Sequence, residues 1–287
     1  MPIDITNKKI NFSAKSPTEW RNEEAFAALL SDGSVVTWGT PEYGGDSSSV
    51  ATSLQNNVSQ IYSSKYAFAA LKNDGSVVTW GSSLDLSDYT QYPINLTNAQ
   101  SSQLKKGVQT ISSTGGSFAA LKDDGSVVIW GHPSTGGDSS AVSDQINSGV
   151  IQVFSTNQNF AALKDDGSVV TWGGWGSQDP ELSEGVIDIF TTHQAFAALK
   201  DDGSVVTWGY YNGGGNSSSV AKQLSDGIKE IYSTSEAFAA LKNDGSVVTW
   251  GAGSSNNNAL NGYTGITYVS SNQLNRVTEI FGNRLAF

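Results

Sequence analysis

The sequence predicts an all-β chain folded as a β-propeller, with seven blades favoured and six as the alternative. Three observations predict it. One strand–turn–strand unit recurs six times, its strands are apolar on both faces, and the last eight residues begin the unit once more.

The repeat comes first, because a fixed internal period of this size signals stacked supersecondary units. FAALLSDGSVVTWG begins at Phe26, FAALKNDGSVVTWG at Phe68 and FAALKDDGSVVIWG at Phe118, and further copies begin at Phe160, Phe196 and Phe238. The steps between these phenylalanines are 42, 50, 42, 36 and 42 residues, and a step of 49 reaches Phe287. The segments 61–68 (IYSSKYAF) and 280–287 (IFGNRLAF) match in spacing. The chain therefore reads as a single domain over 1–287, with units near 26–67, 68–117, 118–159, 160–195, 196–237 and 238–276, and a partial unit at 277–287.

Each unit reads as three strands. A β-branched, alternating segment such as GVIQVFS (149–155) leads into FAALK, then a turn, then SVVTWG. The Asp-Asp-Gly or Asn-Asp-Gly turn suits a tight hairpin, because glycine adopts positive φ without a steric penalty. Phe160 and Ala162 point one way along their strand while Ala161 and Leu163 point the other. Val170 and Trp172 oppose Val169 and Thr171 in the same manner. A sheet apolar on both faces must be covered on both, and radially stacked blades do that while hiding most strand edges.

Three units continue past Trp-Gly with a related tail: GGDSSSVATSL (44–54), GGDSSAVSDQI (136–146) and GGNSSSVAKQL (214–224). Asp or Ser there can cap a short helix, and Val50/Leu54, Val142/Ile146 and Val220/Leu224 fall four apart on one face. Residues 171–186, TWGGWGSQDPELSEGV, dispense with this tail, so it reads as an optional cover on an invariant hairpin. In the seven-bladed arrangement both termini close the last blade: 277–287 supplies an inner strand and the start of the next, and Pro2 to Thr6 pairs beside them.

At Ala28-Leu29, Asp32-Gly33, Val35 and Trp38-Gly39, and at their equivalents in the other five units, the sequence resembles the regulator-of-chromosome-condensation (RCC1-like) repeat family. The resemblance runs from about Ile10 to Phe287 and implies a seven-bladed propeller. It also suggests kinship with bacterial members that look like modules of surface or secreted proteins. Family units usually follow Trp-Gly with Asn and a Gly-Gln-Leu-Gly stretch, which GGDSS replaces here. The inserted hairpin and basic DNA-contacting segments of the eukaryotic exchange factors are missing as well, so nucleotide exchange and chromatin binding do not carry over.

Composition narrows the function classes. The chain has 287 residues, a formal net charge of −11, no Cys, and only 15 % charged residues. An acidic balance speaks against nucleic acid, whose binding leans on Lys and Arg at phosphates. It also disfavours an anionic membrane surface. No stretch approaches the roughly 20 apolar residues of a membrane-spanning helix. Without Cys there is neither a disulfide framework nor a thiolate metal site. The start, MPIDITNKKINF, lacks the apolar run of a signal peptide, so a secreted or cell-surface location would need another route or a longer parent chain, and a cytoplasmic one stays open.

Chemistry finds little to stand on. The Asp turns supply one or two carboxylates per hairpin on separate blades, short of the six to eight oxygens calcium takes, so neither metal nor cofactor is expected. His132 and His193 lie in different units with no thiol and no Ser-His-Asp spacing, which argues against an enzyme. The repeat tryptophans, Trp38, Trp80, Trp130, Trp172, Trp208 and Trp250, are expected between blades rather than as sugar platforms.

Antiparallel geometry puts the strand 1–2 turns and the segments after Trp-Gly on one face, and these are the segments that vary. They hold Lys65, Tyr66, Asn157, Gln158, His193, Gln194, Ser235 and Glu236, and after Trp-Gly Tyr43, His132, Trp175, Tyr210 and Tyr211. Aromatics and amides on a rigid scaffold suit a protein or glycan ligand. Tyr43, Tyr66, His132, Trp175, His193, Tyr210 and Tyr211 are the candidate ligand contacts of a non-catalytic binding or scaffold module. A hydrolase or lyase in the propeller funnel, or a purely structural spacer, are the alternatives. Deletion of residues 1–8 tests the closure: a lowered thermal midpoint is expected, and an unchanged one means the termini do not close the ring.

Overall fold

The computed structural model describes residues 22–84, 91–94, 96–174, 182–251 and 276–280. The chain is all-β, and its described residues form six antiparallel sheets. Blade 1 pairs β1 (Ala25–Leu29) with β2 (Val35–Gly39). Blade 2 holds β3 (Val58–Ser63), β4 (Ala67–Lys72), β5 (Val77–Leu84) and a short β6 (Gln91–Pro93), followed by α1 (Asn98–Gln103). Blade 3 is β7 (Val108–Ser113), β8 (Ser117–Lys122) and β9 (Val127–Gly131); blade 4 is β10 (Val150–Ser155), β11 (Asn159–Lys164) and β12 (Val169–Gly173). Blade 5 is β13 (Val186–Thr191), β14 (Ala195–Lys200) and β15 (Val205–Gly209); blade 6 is β16 (Ile228–Ser233), β17 (Ala237–Lys242) and β18 (Val247–Gly251). The first strands β3, β7, β10, β13 and β16 stand beside one another, which places them innermost.

The second hairpin turn has the same chemistry in every unit. In blade 2, Gly75 N–H donates to Lys72 C=O at 2.9 Å and Lys72 N–H to Ser76 C=O at 2.9 Å, with Gly75 at φ +74°. A Cβ there would lie 2.7 Å from the Gly107 nitrogen, so glycine is required by space as well as by φ. Asp74 Oδ1 accepts from both the backbone N–H and the hydroxyl of Ser76. The Asp is a turn residue holding its own backbone.

Middle strands are buried on both faces: Phe160, Ala161 and Ala162 are fully covered and Leu163 nearly so. The two faces feed different cores. Phe160, Ala162, Val170 and Trp172 pack against Ala119, Leu121 and Ile129 of blade 3, whereas Ala161, Leu163 and Val169 pack against blade 5. Five such cores lie between the six blades. Each contains a Phe–Trp pair from directly opposed positions, such as Phe160 and Trp172, stacked with ring centroids 5.0–5.4 Å apart. A Leu or Ile from the preceding blade's tail plugs each core: Leu54, Leu104, Ile146, Leu182 or Leu224.

The GGDSS tails form 3-10 turns, and Asp46, Asp138 and Asn216, each one residue ahead of the N-cap serine, accept from the backbone N–H of Ser48, Ser140 and Ser218. They are more than the optional cover that the sequence suggests. The first Gly places its carbonyl on the next blade's indole: Trp80, Trp172 and Trp250 Nε1–H donate to Gly44, Gly136 and Gly214 at 3.0, 3.1 and 3.1 Å. These glycines have φ of +92°, +91° and +98°, and a Cβ on them would meet a Phe ring at 2.7–2.8 Å.

Blade 1 differs from the rest. Phe26 and Trp38 stack at 5.3 Å as elsewhere, yet they are 61 % and 50 % exposed because no described blade precedes them. At the other end, Val277 N–H donates to Gly245 C=O at 3.0 Å, the bond by which Val58, Val108, Val150, Val186 and Ile228 start their blades on Gly33, Gly75, Gly125, Gly167 and Gly203. Arg276 takes φ +66° just before it, as Asn57 does at +63°. Val277 thus docks on blade 6 as the first residues of the other first strands dock on theirs, although residues 277–280 form no strand. The strand pairing expected of Pro2 to Thr6, and residues 281–287, lie outside the described residues.

Burial fixes the expected cost of truncation. Phe160→Ala should lower stability by about 3–5 kcal/mol, the usual loss for a buried aromatic, while Phe26→Ala on the uncovered face costs much less. Urea unfolding of the two variants measures the difference.

A candidate recognition face at the strand 1–2 turns

The strand 1–2 turns are built alike. A Ser or Thr that leaves the first strand is buried, and its hydroxyl accepts the N–H three residues on: Thr114 from Ser117 at 3.0 Å, Thr156 from Asn159 at 3.2 Å, Thr192 from Ala195 at 3.0 Å, and Thr234 from Ala237 at 3.1 Å. In blade 1, Asn22 Oδ1 does the same for Ala25 at 2.8 Å. A side chain thus supplies what the backbone ladder cannot at a turn.

The residue after each cap joins a chain of backbone bonds around the propeller mouth. Glu23 N–H donates to Lys65 C=O (3.1 Å), Lys65 to Gly115 (3.1 Å), Gly115 to Asn157 (2.9 Å), Asn157 to His193 (2.7 Å) and His193 to Ser235 (2.9 Å). Equivalent residues on consecutive blades are therefore held one hydrogen bond apart. Lys65 Nζ also meets Glu23 Oε1 at 3.2 Å, a half-exposed pair whose energetic worth is small.

The segments after Trp-Gly are fastened to the same turns. Tyr210 N–H donates to Gln194 C=O at 2.9 Å and Thr192 Oγ1 to Gly213 C=O at 2.8 Å. His132 N–H donates to Gly116 C=O at 3.0 Å, Thr40 N–H to Glu24 C=O at 3.0 Å, and Asn22 Nδ2 to Tyr43 C=O at 2.7 Å. The structure therefore brings the two variable sets of loops to one end.

The candidate residues occupy different levels of that end. Tyr210 and Tyr211 stand out at 53 % and 68 % exposure, beside the His193 turn. Tyr66 is buried, with Tyr43 edge-on against it at 5.2 Å, because the pair fills the joint between blades 1 and 2. Burial is also the largest cause pushing both phenols above their ordinary 10.0. His132 is buried too: its Nδ1 accepts from the Ser134 N–H at 3.2 Å and lies 2.7 Å from Ser134 Oγ, capping a 3-10 turn. Trp175 lies outside the described residues. Exposed contact thus falls to Tyr210, Tyr211 and the turn residues, with Tyr43 half-covered.

The funnel holds two residues that sequence reasoning passed over. Asp188 and Glu230 sit at the same register position on neighbouring first strands, where the other blades carry Gln60, Thr110 and Gln152. The signal was a change of residue type at the third position of the unit. Glu230 Oε2 accepts from Tyr232 Oη at 2.9 Å, and burial, followed by this bond, pushes the Tyr232 phenol up to about 12. Asp188 Oδ1 accepts from the Ile189 N–H at 2.9 Å. Among the described residues no three His, Cys, Asp or Glu side chains are grouped as a metal site.

No family model matches the chain, and no curated protein matches it. Solved structures do align. Prp20p of Saccharomyces cerevisiae, described with binding to Gsp1p and histones, is 14 % identical, with 81 % of this chain and 70 % of that chain covered at a TM-score of 0.47. The CRINKLY WD40 ectodomain of the Arabidopsis thaliana receptor kinase ACR4 is 16 % identical (80 % and 77 % covered, TM-score 0.42). Human WBSCR16 is 16 % identical (79 % and 74 % covered, TM-score 0.44). At such identities and scores, the partners of those proteins do not transfer.

The repeated Asp turns at the opposite end make acid stability predictable. Hydrogen bonds from the Ser two residues on, the hydroxyl first and the backbone second, hold Asp32, Asp74, Asp124, Asp166, Asp202 and Asp244 below their ordinary 3.8. A carboxyl depressed in the folded state stabilises it above the unfolded value, and that contribution fades as pH falls through 3.8 and below. The thermal midpoint should therefore drop with acid in that window. The drop should shrink when Asp→Asn is made at all six positions, as scanning calorimetry from pH 6 to 2 would show.

Proposed function

We propose that this chain is a non-catalytic recognition propeller that binds a protein or glycan through the strand 1–2 turn face. One observation carries the reading: Tyr210 and Tyr211 are exposed on a rim hydrogen-bonded to the His193 turn, in a scaffold whose opposite end repeats one turn. Exposed aromatics on a fixed frame bury large area on binding at little entropic cost. The repeat motif supports kinship with RCC1-like propellers of the bacterial type, and with it a place in a secreted or surface protein.

A second reading, a hydrolase or lyase in the funnel, draws on the Asp188 and Glu230 carboxylates at one register position. Both already serve a neighbour, Ile189 N–H and the Tyr232 hydroxyl, which favours a structural role.

A glycan array and a cross-linked pull-down against surface proteins test the proposal, each with wild type, Tyr210→Ala/Tyr211→Ala and Asp188→Asn/Glu230→Gln. Binding that falls at least tenfold in the tyrosine variant alone is expected. Binding lost only in the funnel variant shifts the site to the axis, and no binding in either assay leaves the spacer.

A further inference from the structure

Every described joint is plugged from the same distance along the chain. Leu54, Leu104, Ile146, Leu182 and Leu224, 1–2 % exposed, each stand 14 residues ahead of the phenylalanine that shares their core. The offset holds although the steps between those phenylalanines run from 36 to 50 residues. The plug sits at the Asp-turn end of its joint, where Ile146 C=O accepts from Val127 N–H at 3.0 Å and Leu224 C=O from Val205 N–H at 2.9 Å. A valine two residues before the tryptophan lies in the same core: Val78, Val128, Val170, Val206 or Val248.

Blade 1 keeps this register as far back as it is described. Asn22 caps its turn four residues ahead of Phe26, as Thr114 does ahead of Phe118 and Thr156 ahead of Phe160. Fourteen residues ahead of Phe26, and ten ahead of Asn22, the sequence places Phe12, which lies outside the described residues. Ten residues also separate Leu104 from Thr114 and Ile146 from Thr156.

A second position changes in the same unit. Blades 2 to 6 end their middle strand in Lys. Lys72 and Lys242 Nζ donate at 3.0 and 2.9 Å to the C=O of Ser53 and Gln223, the residues just before the plugs Leu54 and Leu224. Blade 1 has Leu30 at this position, 43 % exposed, and Val36 on the same face is 45 % exposed. Leucine cannot donate to a tail carbonyl, but it extends the apolar wall against which a larger plug can rest. We infer that the N-terminal segment of this chain docks on the Asp-turn end of blade 1, with Phe12 as a sixth plug seated on Leu30 and Val36. The occupant is aromatic where the others are Leu or Ile, and Leu30 replaces the ammonium that reaches over the smaller ones. Phe26 and Trp38, at the mouth end of the same strands, stay the more exposed.

The chain has no Cys, so one introduced thiol reports burial in the full-length protein. The thiol of Phe12→Cys should react with N-ethylmaleimide at least tenfold more slowly than that of Asn11→Cys, at any protein concentration. Equal rates overturn the inference, and protection that grows with concentration overturns it in favour of a second copy's segment. Stability gives a second readout. Phe12→Ala should raise the unfolding equilibrium constant at least tenfold, as truncation of a packed aromatic does, and an unchanged constant overturns the docking. Leu30→Lys should raise that constant at least threefold more in the parent chain than in Phe12→Leu, where it restores the pairing of the other blades. Equal effects in the two backgrounds overturn the match between the two positions.

Discussion

The constraint on which the rest depends is that each blade must be covered on both faces. The strand around Phe160 sends Phe160 and Ala162 to one neighbour and Ala161 and Leu163 to the other, and all four are buried. No single blade could hide both sets, so the stabilising area exists only in the stack. Burying a large apolar side chain contributes about 1.5–3 kcal/mol, and here that contribution belongs to joints rather than to units. The exposed Phe26 and Trp38 show the same surface without its cover.

Stacking alone would leave rotation and slippage between sheets undetermined, because apolar contact is non-directional. Backbone hydrogen bonds at both ends of the blades remove that freedom. At one end the residue opening each first strand is tied to the Gly of the preceding hairpin turn; at the other, the strand 1–2 turns are tied to one another. The turn glycines follow from this arrangement, since the approach of the next blade to Gly75 leaves no room for a Cβ. The identical turn end and the varied turn end are thus both fixed by main chain, and the varied side chains ride on a frame that their identity does not disturb.

Much of this was legible in the residues. Two-sided alternation in FAALK and SVVTWG gave the strands and the stacking, and the Asp-Gly dipeptides gave the turns, because both are local properties repeated six times. What was not legible depends on the neighbouring blade. Tyr66 and His132 read as loop residues, yet an adjoining segment covers each, and no single-unit pattern carries that information. Each first strand also carries a bulge at its second residue, as between Val150 and Gln152, which turns Ile151 outward to 39 % exposure against its apolar character. The role of GGDSS was hidden for the same reason: its acceptor serves a Trp 36 residues further on, in the next blade.

The alternation of tails changes what the repeat unit is. Judged by the hairpin, six copies are equivalent; judged by the tail, three of them reach a glycine carbonyl onto the indole of the unit that follows. A Gly whose carbonyl must meet an indole and whose α-carbon must clear a Phe ring is constrained by two residues of another unit. Gly136 could therefore not drift independently of Trp172 and Phe160. The steps of 50 and 36 residues follow units whose tails lack the GGDSS pattern, and the three units with that pattern are each followed by a step of 42. Constant spacing across the joints where a glycine carbonyl meets the next indole is what a hydrogen bond between blades imposes on a sequence.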